Sequence, residues 1–501
     1  MSLAVIHTRA LLGVEAPCVQ TEVHLANGLP AFTIVGLPET AVKESKDRVR
    51  SAIVNSHFEF PQRRITVNLA PADLPKQSGR YDLAIALGIL AASEQIPSTQ
   101  LNNYEFIGEL ALTGELRGVR GAIASAKACV NANRVLICPK ANEPEAAFCA
   151  AQNSLVASTL LEVAAHLHQR VSLPNPEVNL APQSATSYPD LADIKGQLQA
   201  RRALEVAAAG GHNLLFFGPP GTGKSMLAAR LGGILPPLSN DEALDVATIQ
   251  SIIGNSQPEL WRQRPFRSPH HTASGVALVG GGGQPKPGEI SLAHQGVLFL
   301  DELPEFPRSV LEVLREPLES GRVSISRANA QVEFPAQFQL IAAMNPCPCG
   351  YVGDQTQRCR CSPQQIARYR QKISGPLLDR IDLHVPVATL PISDLHSKPQ
   401  GECSATVRAR VEHCRAHQLQ RQQCPNSQLK GNLLQEHCSL DLASKNLLAQ
   451  AVTKLNMSAR GYDRILRVSR TLADMAGEAH ISATHLGEAL NYRALDRSQQ
   501  L

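Results

Sequence analysis

Residues 218–225 read Gly-Pro-Pro-Gly-Thr-Gly-Lys-Ser, and the apolar run Leu214-Leu215-Phe216-Phe217 precedes them. The octapeptide matches the phosphate-loop pattern G-x-x-x-x-G-K-[ST], in which a strand ends in a loop whose N–H groups surround phosphates. Glycine lets the backbone approach the anion, and a helix that begins at Ser225 points its positive end at the same place. We therefore predict that the chain binds a nucleoside triphosphate through the whole loop: Gly218, Pro219, Pro220, Gly221, Thr222, Gly223, Lys224 and Ser225.

A second motif ends the apolar run at residues 297–300 with Asp301 and Glu302. ATPases with a phosphate loop place a metal-holding acid at the end of such a strand. We expect Lys224 to reach the β- and γ-phosphates of ATP, and Ser225 and Asp301 to hold Mg²⁺. Glu302 is then the general base that activates water. Two acids at the end of an apolar run are common by themselves, so this interpretation depends on the phosphate loop upstream.

The composition limits the class of protein. A chain of 501 residues is too long for one core, and at roughly 100 to 200 residues per domain it predicts three domains. The net charge is +4 and aromatic residues make up 4%, so the chain is neither a polycation nor dominated by base-stacking surfaces. Any contact with nucleic acid must therefore come from local patches.

Hydropathy and the first residues point to a cytoplasmic protein without membrane contact. The longest apolar stretch, residues 83–92, is shorter than the roughly 18 residues of a membrane span and is predicted to be a core helix. The first residues lack the basic-then-apolar order of a signal peptide. In such a chain the 12 cysteines are expected to be reduced thiols or metal ligands.

Periodicity divides the chain into segments. The first segment mixes strand and helix signals, and its alternating apolar residues 21–25 lead to Asn27-Gly28, which predicts a two-residue hairpin turn. A stretch rich in proline and small polar residues follows and is typical of a linker. We predict an α+β domain, a linker, an α/β ATPase core and a helical lid at residues 1–170, 171–189, 190–395 and 396–501, respectively.

Three polar residues further along are candidates for sensing the γ-phosphate. Asn345 ends a buried strand and is expected to hold the attacking water, although strand-terminal asparagines also serve as turn residues. Arg380 follows an apolar stretch and is a candidate arginine finger, supplied in trans across a subunit interface. The alternative is an ion pair with Asp379 or Asp382. Arg460 begins a helical stripe of arginines, for which a solvated basic face is the alternative.

Four cysteines form two tight pairs, Cys347-x-Cys349 and Cys359-x-Cys361. Four thiolates can close a tetrahedral structural Zn²⁺ site. The C-x-C spacing is tighter than the commoner C-x₂-C, so free thiols in a loop remain the alternative.

Several motifs in order give the chain a family resemblance. They include Ala207-Ala208-Ala209-Gly210-Gly211-His212-Asn213, the phosphate loop, the segment from Arg264 to His271, the segment from Pro287 to His294, and Cys347-Pro348-Cys349-Gly350. The chain resembles the magnesium-chelatase-like AAA+ ATPases over nearly its whole length. The resemblance implies an α/β AAA+ core with a C-terminal helical lid and an N-terminal domain similar to that of Lon protease.

The resemblance also implies a homo-hexameric ring that threads single-stranded and branched DNA. Such a ring would drive branch migration in natural transformation and homologous recombination. The N-terminal domain departs from a working peptidase, because Arg80 stands where the nucleophilic serine is expected and the lysine partner is lost near Ala124. We therefore expect no proteolysis, and a Ser78→Ala variant should leave the activities unchanged.

Two segments are candidates to reach into a ring pore. Residues 280–288 resemble an insert in the second AAA+ helix, and residues 326–329 resemble a hairpin before the sensor strand. Lys286 and Arg327 are the candidate DNA contacts, and contacts of this kind would be sequence-independent and salt-sensitive. Glycine runs are more often plain loops.

Two rival functions stay open at this point. A magnesium chelatase subunit would remodel a porphyrin-metallating partner, and an ATP-regulated scaffold or protein remodeller would bind no nucleic acid. The cysteine loop and the N-terminal domain favour the DNA motor.

Overall fold

The computed structural model describes residues 3–36, 39, 42, 44–177, 188–255, 257–282, 285–327, 330–353, 358–391, 401–455 and 457–495. Much of the predicted linker, both hairpin tips at Gly283-Gln284 and Ala328-Asn329, and the end of the predicted lid therefore lie outside the described residues. Among the described residues, no helix combines the length and apolar character needed to cross a lipid bilayer.

The N-terminal region is built on mixed sheets. Its strands are β1 (Leu3–Arg9), β2 (Cys18–Ala26), β3 (Ala31–Val35), β4 (Arg64–Ala70), β5 (Tyr104–Phe106), β6 (Glu109–Leu110), β7 (Leu116–Arg117), β8 (Val135–Pro139) and β9 (Ser154–Ala157). Its helices are α1 (Ser45–Asn55), α2 (Asp82–Ala92), α3 (Ala122–Asn131), α4 (Glu143–Ala150) and α5 (Leu160–Leu167). The sheets run β1-β2-β4-β3, β5-β8-β9 and β6-β7.

The apolar helix α2 lies in the core of this region, as its composition predicts, because every one of its residues is buried. The predicted hairpin at Asn27-Gly28 is wrong. Strand β4 lies between β2 and β3, pairing antiparallel with the first and parallel with the second. Because β2 already has β1 and β4 on its two sides, the chain must cross to the far side of β4 after Ala26.

The second region is organised around a parallel sheet. Its strands are β10 (Leu214–Phe217), β11 (Phe266–Arg267), β12 (Gly280–Gly281), β13 (Lys286–Pro287), β14 (Val297–Leu300), β15 (Arg322–Arg327), β16 (Ala330–Pro335), β17 (Gln339–Met344) and β18 (Leu383–Pro386). The parallel sheet has the order β11-β14-β17-β10-β18, whereas β12-β13 and β15-β16 are separate antiparallel hairpins. Strands β14 and β17 are buried throughout, as expected for a sheet covered on both faces.

Helices cover the sheet and continue into the C-terminal region. Those between residues 198 and 378 are α6 (Leu198–Gly210), α7 (Lys224–Ala229), α8 (Leu231–Ile234), α9 (Asn240–Ile253), α10 (Gly275–Val279), α11 (Glu289–Leu292), α12 (Arg308–Glu312), α13 (Arg315–Ser320), α14 (Pro363–Arg370) and α15 (Gly375–Leu378). The C-terminal helices are α16 (Ser404–Gln422), α17 (Gly431–His437), α18 (Leu442–Leu455), α19 (Ala459–Ala476) and α20 (Ala483–Asn491).

The C-terminal helices share a core with one face of the parallel sheet. Val411 of α16, Ile465 of α19 and Leu486 of α20 are buried in the same apolar cluster as Leu214 of β10 and Leu383 of β18. Helices α16 and α19 also pack against α6. Apolar burial of this extent fixes the position of the helical region relative to the sheet.

Candidate nucleotide-binding site

Three of the predicted motifs meet at the carboxyl edge of the parallel sheet. The phosphate loop follows β10, Asp301 and Glu302 follow β14, and Asn345 follows β17. Strand β17 lies between β14 and β10, so the ends of three neighbouring strands present these groups together. Ligands of open α/β sheets bind at this edge because the strand ends and helix N-termini open a crevice there.

Glycines in the phosphate loop serve different purposes. Gly221 and Gly223 have φ values of +76° and +90°, and a Cβ atom added to either would meet no other atom within 4 Å. The space over the loop is therefore open to a ligand, and the positive φ favours glycine. At Gly218, an added Cβ atom would lie 2.1 Å from the carbonyl oxygen of Val387, so glycine is needed for packing.

Lys224 is buried, and its ammonium group is satisfied by the loop. Its Nζ atom donates to the carbonyl oxygens of Gly218 and Pro219 at 2.9 and 2.8 Å and to Oδ1 of Asn345 at 3.2 Å. Burial lowers the pKa of Lys224, while Asp301 and Glu302 act in the opposite direction. Phosphate oxygens at the loop would compete for the same three donors, which links Asn345 directly to nucleotide binding.

Ser225 and Asp301 form an oxygen pair that fits Mg²⁺. The Ser225 hydroxyl donates to Oδ2 of Asp301 at 2.6 Å, and the other carboxylate oxygen accepts the backbone N–H of Glu302 at 2.9 Å. A hydroxyl and a carboxylate are hard oxygen ligands of the kind that Mg²⁺ prefers, completed in such sites by water and phosphate oxygens. The two predicted metal ligands are thus adjacent.

Glu302 is held in an unusual backbone conformation. Its φ is +52°, in the left-handed region that non-glycine residues rarely adopt. Its Oε2 atom lies 3.5 Å from Nδ1 of His271, whose ring stacks against His270 with centroids 4.1 Å apart. Because β11 pairs with β14, the histidine loop after β11 reaches the same edge as Glu302, and only the sheet order reveals this.

Arg380 lies at the opposite, amino edge of the sheet. Its carbonyl oxygen accepts a hydrogen bond of 2.9 Å from Nδ2 of Asn213, the residue that precedes β10. A strand of four residues such as β10 spans about 13 Å, so Arg380 and the phosphate loop of the same chain are separated by the length of the strand.

The partner of Arg380 is Glu319, not Asp379 or Asp382. Its guanidinium donates to Oε1 of Glu319, and burial lowers the pKa of Arg380 although Glu319 opposes the shift. Asp382 is engaged by Arg464 at 2.5 Å, and Asp379 accepts the Ser458 hydroxyl at 3.4 Å. The predicted alternative, an ion pair of Arg380 with Asp379 or Asp382, is therefore wrong in its partners.

Arg460 lies beside Arg380 and not at the phosphate loop of its own chain. Its Nη2 atom is 3.8 Å from Oε1 of Glu319, and 60% of its side chain is exposed. The rest of the arginine stripe is not a solvated face. Arg464 pairs with Asp382, Arg467 donates to the Leu429 carbonyl at 2.8 Å, and Arg470 is buried against Asp474.

The four predicted cysteines come together next to this site. The Sγ atom of Cys347 lies 3.4 Å from that of Cys349 and 3.8 Å from that of Cys359. The Sγ atom of Cys361 completes the cluster, in which the four sulfurs lie within 4.8 Å of one another. Sulfurs bound at about 2.3 Å to a tetrahedral Zn²⁺ are about 3.8 Å apart, so the cluster fits the ion.

The cysteine loop also contacts the phosphate loop. An added Cβ atom at Gly350 would lie 2.7 Å from Cδ of Pro220, so the backbone at Gly350 lies close to the ring of Pro220. N–H groups of Tyr351 and Arg360 lower the pKa of the Cys349 thiol to about 6, which favours the thiolate at neutral pH.

The predicted peptidase positions hold no serine nucleophile. Arg80 is buried, and its Nη2 atom donates to the Arg120 carbonyl at 3.1 Å and to the Ser125 hydroxyl at 3.3 Å. Burial lowers the pKa of Arg80. Ser78 is exposed, with φ at +65°.

Comparisons with known proteins agree with this architecture. A family model described as magnesium chelatase, subunit ChlI, matches residues 190–395, and related models match residues 21–142 and 401–493. The competence protein ComM of Haemophilus influenzae is 53% identical over 100% of this chain and 99% of its own length. The chain belongs to the magnesium-chelatase-like ComM family.

Two further relatives show a full-length and a partial similarity. The protein YifB of Escherichia coli is 51% identical over 99% of this chain and 98% of its own length. The magnesium-chelatase 38 kDa subunit of Cereibacter sphaeroides is 26% identical over 30% of this chain and 51% of its own length. Membership implies an ATPase with a magnesium-dependent nucleotide site, as the motifs predict.

Proposed function

We propose that this protein is an ATP-driven DNA motor that works as a homo-hexameric ring and promotes branch migration during natural transformation and homologous recombination. The observation that carries the proposal is the division of the predicted site between the two edges of one sheet. The phosphate loop, Asp301, Glu302 and Asn345 lie at the carboxyl edge, whereas Arg380 and Arg460 lie at the amino edge. Head-to-tail contacts in a closed ring bring unlike edges of neighbouring subunits together.

In such a ring each residue has a defined task. Lys224 and the loop N–H groups bind the β- and γ-phosphates, and Glu302 orients and polarises the attacking water. Bound Mg²⁺ would neutralise charge on the phosphate oxygens, held through Ser225 and Asp301. Asn345 holds the attacking water beside the γ-phosphate, and its Oδ1 atom also accepts a hydrogen bond from Lys224. Arg380 of a neighbouring subunit stabilises the charge that develops on the γ-phosphoryl group, with Arg460 beside it.

Glu319 gives Arg380 a resting partner. A buried guanidinium without a carboxylate would carry a large desolvation cost, which Glu319 offsets within one chain. A γ-phosphate presented by the adjacent subunit would replace Glu319 as the anionic partner. The exchange makes the arginine sensitive to the nucleotide of the neighbour.

The choice of DNA is supported by the similarity to the competence protein ComM and by the two hairpins. Lys286 is exposed on β13, and Arg327 is the last residue of β15 before the hairpin tip. Cations on such hairpins would contact phosphates of single-stranded and branched DNA without reading bases. Binding should then weaken steeply as salt is raised.

The cysteine cluster is proposed to hold a structural Zn²⁺ ion. Purified protein should contain about one zinc ion per chain by elemental analysis, because four thiolates complete a tetrahedral site. Cys361→Ser should lose the metal, whereas Cys403→Ser, an exposed cysteine outside the cluster, should retain it. Metal-free wild-type protein with four titratable thiols in the cluster would contradict this assignment.

The experiment that tests the proposed function is ATP hydrolysis with and without single-stranded and branched DNA at defined salt. Glu302→Gln serves as the inactive control, and the Lys286→Ala, Arg327→Ala double variant tests the hairpin contacts. Stimulation that the double variant loses would support the DNA motor. Hydrolysis indifferent to DNA would favour a protein remodeller or a chelatase-like subunit, the role named in the matching family models.

A further inference from the structure

The tight turn between β1 and β2 in the N-terminal region presses against one of the two hairpins. The N–H of Leu12 donates to the Glu15 carbonyl at 2.9 Å and the N–H of Glu15 donates back at 3.1 Å, which closes the turn. At its tip, Gly13 has a φ of +60°, and an added Cβ atom would lie 2.4 Å from Cγ1 of Val332 on β16. The turn backbone therefore lies directly on the hairpin strand.

Apolar side chains extend this contact. Leu12 and Val14 pack against the cluster that contains Val323 and Ile325 of β15 and Phe334 of β16. The N-terminal region thus shields part of the apolar face of this hairpin from solvent. Arg327 pairs with Ala330 at the far end of the same hairpin, so the turn contacts the hairpin that carries the candidate DNA contact.

A second contact leads to the other hairpin. The indole of Trp261 is fully buried, and its ring lies 4.8 Å from that of Phe148 on α4. Ile123 of α3 joins Trp261 in the same apolar cluster, and the N–H of Gly121 donates to the Ser251 carbonyl of α9 at 3.1 Å. Helix α9 in turn packs against β13, the strand of Lys286.

We propose that the N-terminal domain is the support that positions both DNA-contacting hairpins, directly at β15–β16 and through α9 at β12–β13. This inference rests on the proposed DNA motor. It assigns to the domain a role in DNA-dependent hydrolysis and none in the chemistry of the nucleotide site. The residues of the turn are positioning residues, since they act on DNA only through the hairpin.

The test compares the DNA concentration that gives half-maximal ATPase stimulation with the kcat and KM for ATP in the absence of DNA. Gly13→Ala places a methyl group against Val332, and Leu12→Ser removes apolar contact without backbone strain. Each should raise the half-saturating DNA concentration by about tenfold. A change of this size is expected when one ordinary packing contact is lost. The kcat and KM for ATP without DNA should stay at the wild-type values.

Matched variants separate positioning from damage to the fold. Gly28→Ala alters another glycine of positive φ, at +138°, whose added Cβ atom meets nothing within 4 Å, and it should behave as wild type in DNA dependence. Val332→Ala removes the atom that Gly13→Ala would meet, so the double variant should recover much of the DNA affinity. Amide exchange of residues 322–327 should accelerate in Gly13→Ala and in Leu12→Ser.

The outcomes are distinguishable. If DNA stimulates the wild-type protein and the Gly13→Ala and Leu12→Ser variants show the same DNA dependence, this inference is overturned. The proposed DNA motor would be unaffected by that result. Wild-type hydrolysis that ignores DNA would overturn the motor and this inference with it. Loss of hydrolysis without DNA in Leu12→Ser would also contradict the proposal, because the turn would then act on the nucleotide site.

Discussion

The two edges of the parallel sheet differ in the groups that they gather. The carboxyl edge assembles Lys224, Ser225, Asp301, Glu302 and Asn345 within hydrogen-bonding reach of one another or of the loop. The amino edge assembles arginines, with Arg380 and Arg460 sharing Glu319 and Arg464 paired to Asp382. Catalysis of phosphoryl transfer draws on both kinds of group, and in the proposed ring a neighbouring copy would supply the second edge.

The largest effect should come from the amino edge. Arg380→Ala is expected to lower the kcat for ATP hydrolysis by about 10³-fold or more, because the charge that develops on the γ-phosphoryl group loses its cationic partner. Nucleotide affinity should change little, since the phosphate loop of each chain is intact. Steady-state hydrolysis and binding of a fluorescent ATP analogue check this. Arg117→Ala, which alters an exposed arginine of the N-terminal region, is the control. Retention of kcat within a factor of ten would contradict a finger role.

The matching change at the carboxyl edge should be of similar or slightly smaller size. Glu302→Gln is expected to lower kcat by about 10²- to 10⁴-fold, because an amide cannot serve as general base. The variant should still bind ATP. Glu305→Gln, which alters a nearby carboxylate paired with Lys372, should retain activity. A fully active Glu302→Gln enzyme would move the general base elsewhere.

Stability should depend on the buried ion pair that anchors the amino edge. Arg464, His212 and the N–H of Asn213 hold the pKa of the buried Asp382 carboxyl below its usual value. Asp382→Asn should lower the free energy of unfolding by about 3 to 5 kcal/mol, because Arg464 is left as an uncompensated charge. Asp379→Asn, on the same turn but only half-buried, should cost far less in denaturant unfolding.

The pH dependence of this contribution has a definite sign. A carboxyl whose pKa is lowered on folding stabilises the protein above its unfolded pKa of about 4 and loses that stabilisation as the pH falls further. The Asp382→Asn variant should therefore show a flatter loss of stability below about pH 4 than wild type. Equal slopes in the two proteins would show that Asp382 is not the group that titrates.

The smallest effect should come from His294, just before β14. Its Nδ1 atom accepts the N–H of Gln337 at 3.0 Å, and burial lowers the pKa of His294 to about 4. The neutral ring therefore stabilises the fold above its unfolded pKa of about 6.5, and up to about 3 kcal/mol is lost as the pH falls toward 4. In the His294→Gln variant, the free energy of unfolding measured with urea should depend less on pH across this range. An unchanged pH slope would exclude His294.

The sequence predicts the carboxyl edge well because each of its motifs is local. A phosphate loop, a strand that ends in two acids and a strand that ends in an amide each carry their own pattern. The parallel strands then bring the motifs together without further information. The four cysteines are identified by their paired spacing, but only the folded loop shows that the two pairs lie together.

The sequence predicts less where distant segments meet. Asn27-Gly28 has the composition of a hairpin turn, yet the long-range pairing of β2 with β4 overrides the local signal. Arg380 pairs with Glu319, which lies 61 positions away in the sequence. The sequence suggested the neighbouring acids Asp379 and Asp382 as its partners. His271 gains its place beside Glu302 from the order of strands in the sheet. Such positions depend on tertiary structure and have no periodic signature.

The most direct test of the divided site mixes two inactive proteins. Lys224→Ala removes the phosphate-loop lysine but keeps Arg380, and Arg380→Ala keeps an intact phosphate loop. In mixed rings, a Lys224→Ala subunit can supply Arg380 to the nucleotide of an Arg380→Ala neighbour. If Arg380 acts in trans, ATP hydrolysis should return on mixing, well above the sum of the separate variants. Mixed assemblies that co-purify and yet stay as inactive as either variant alone would contradict it.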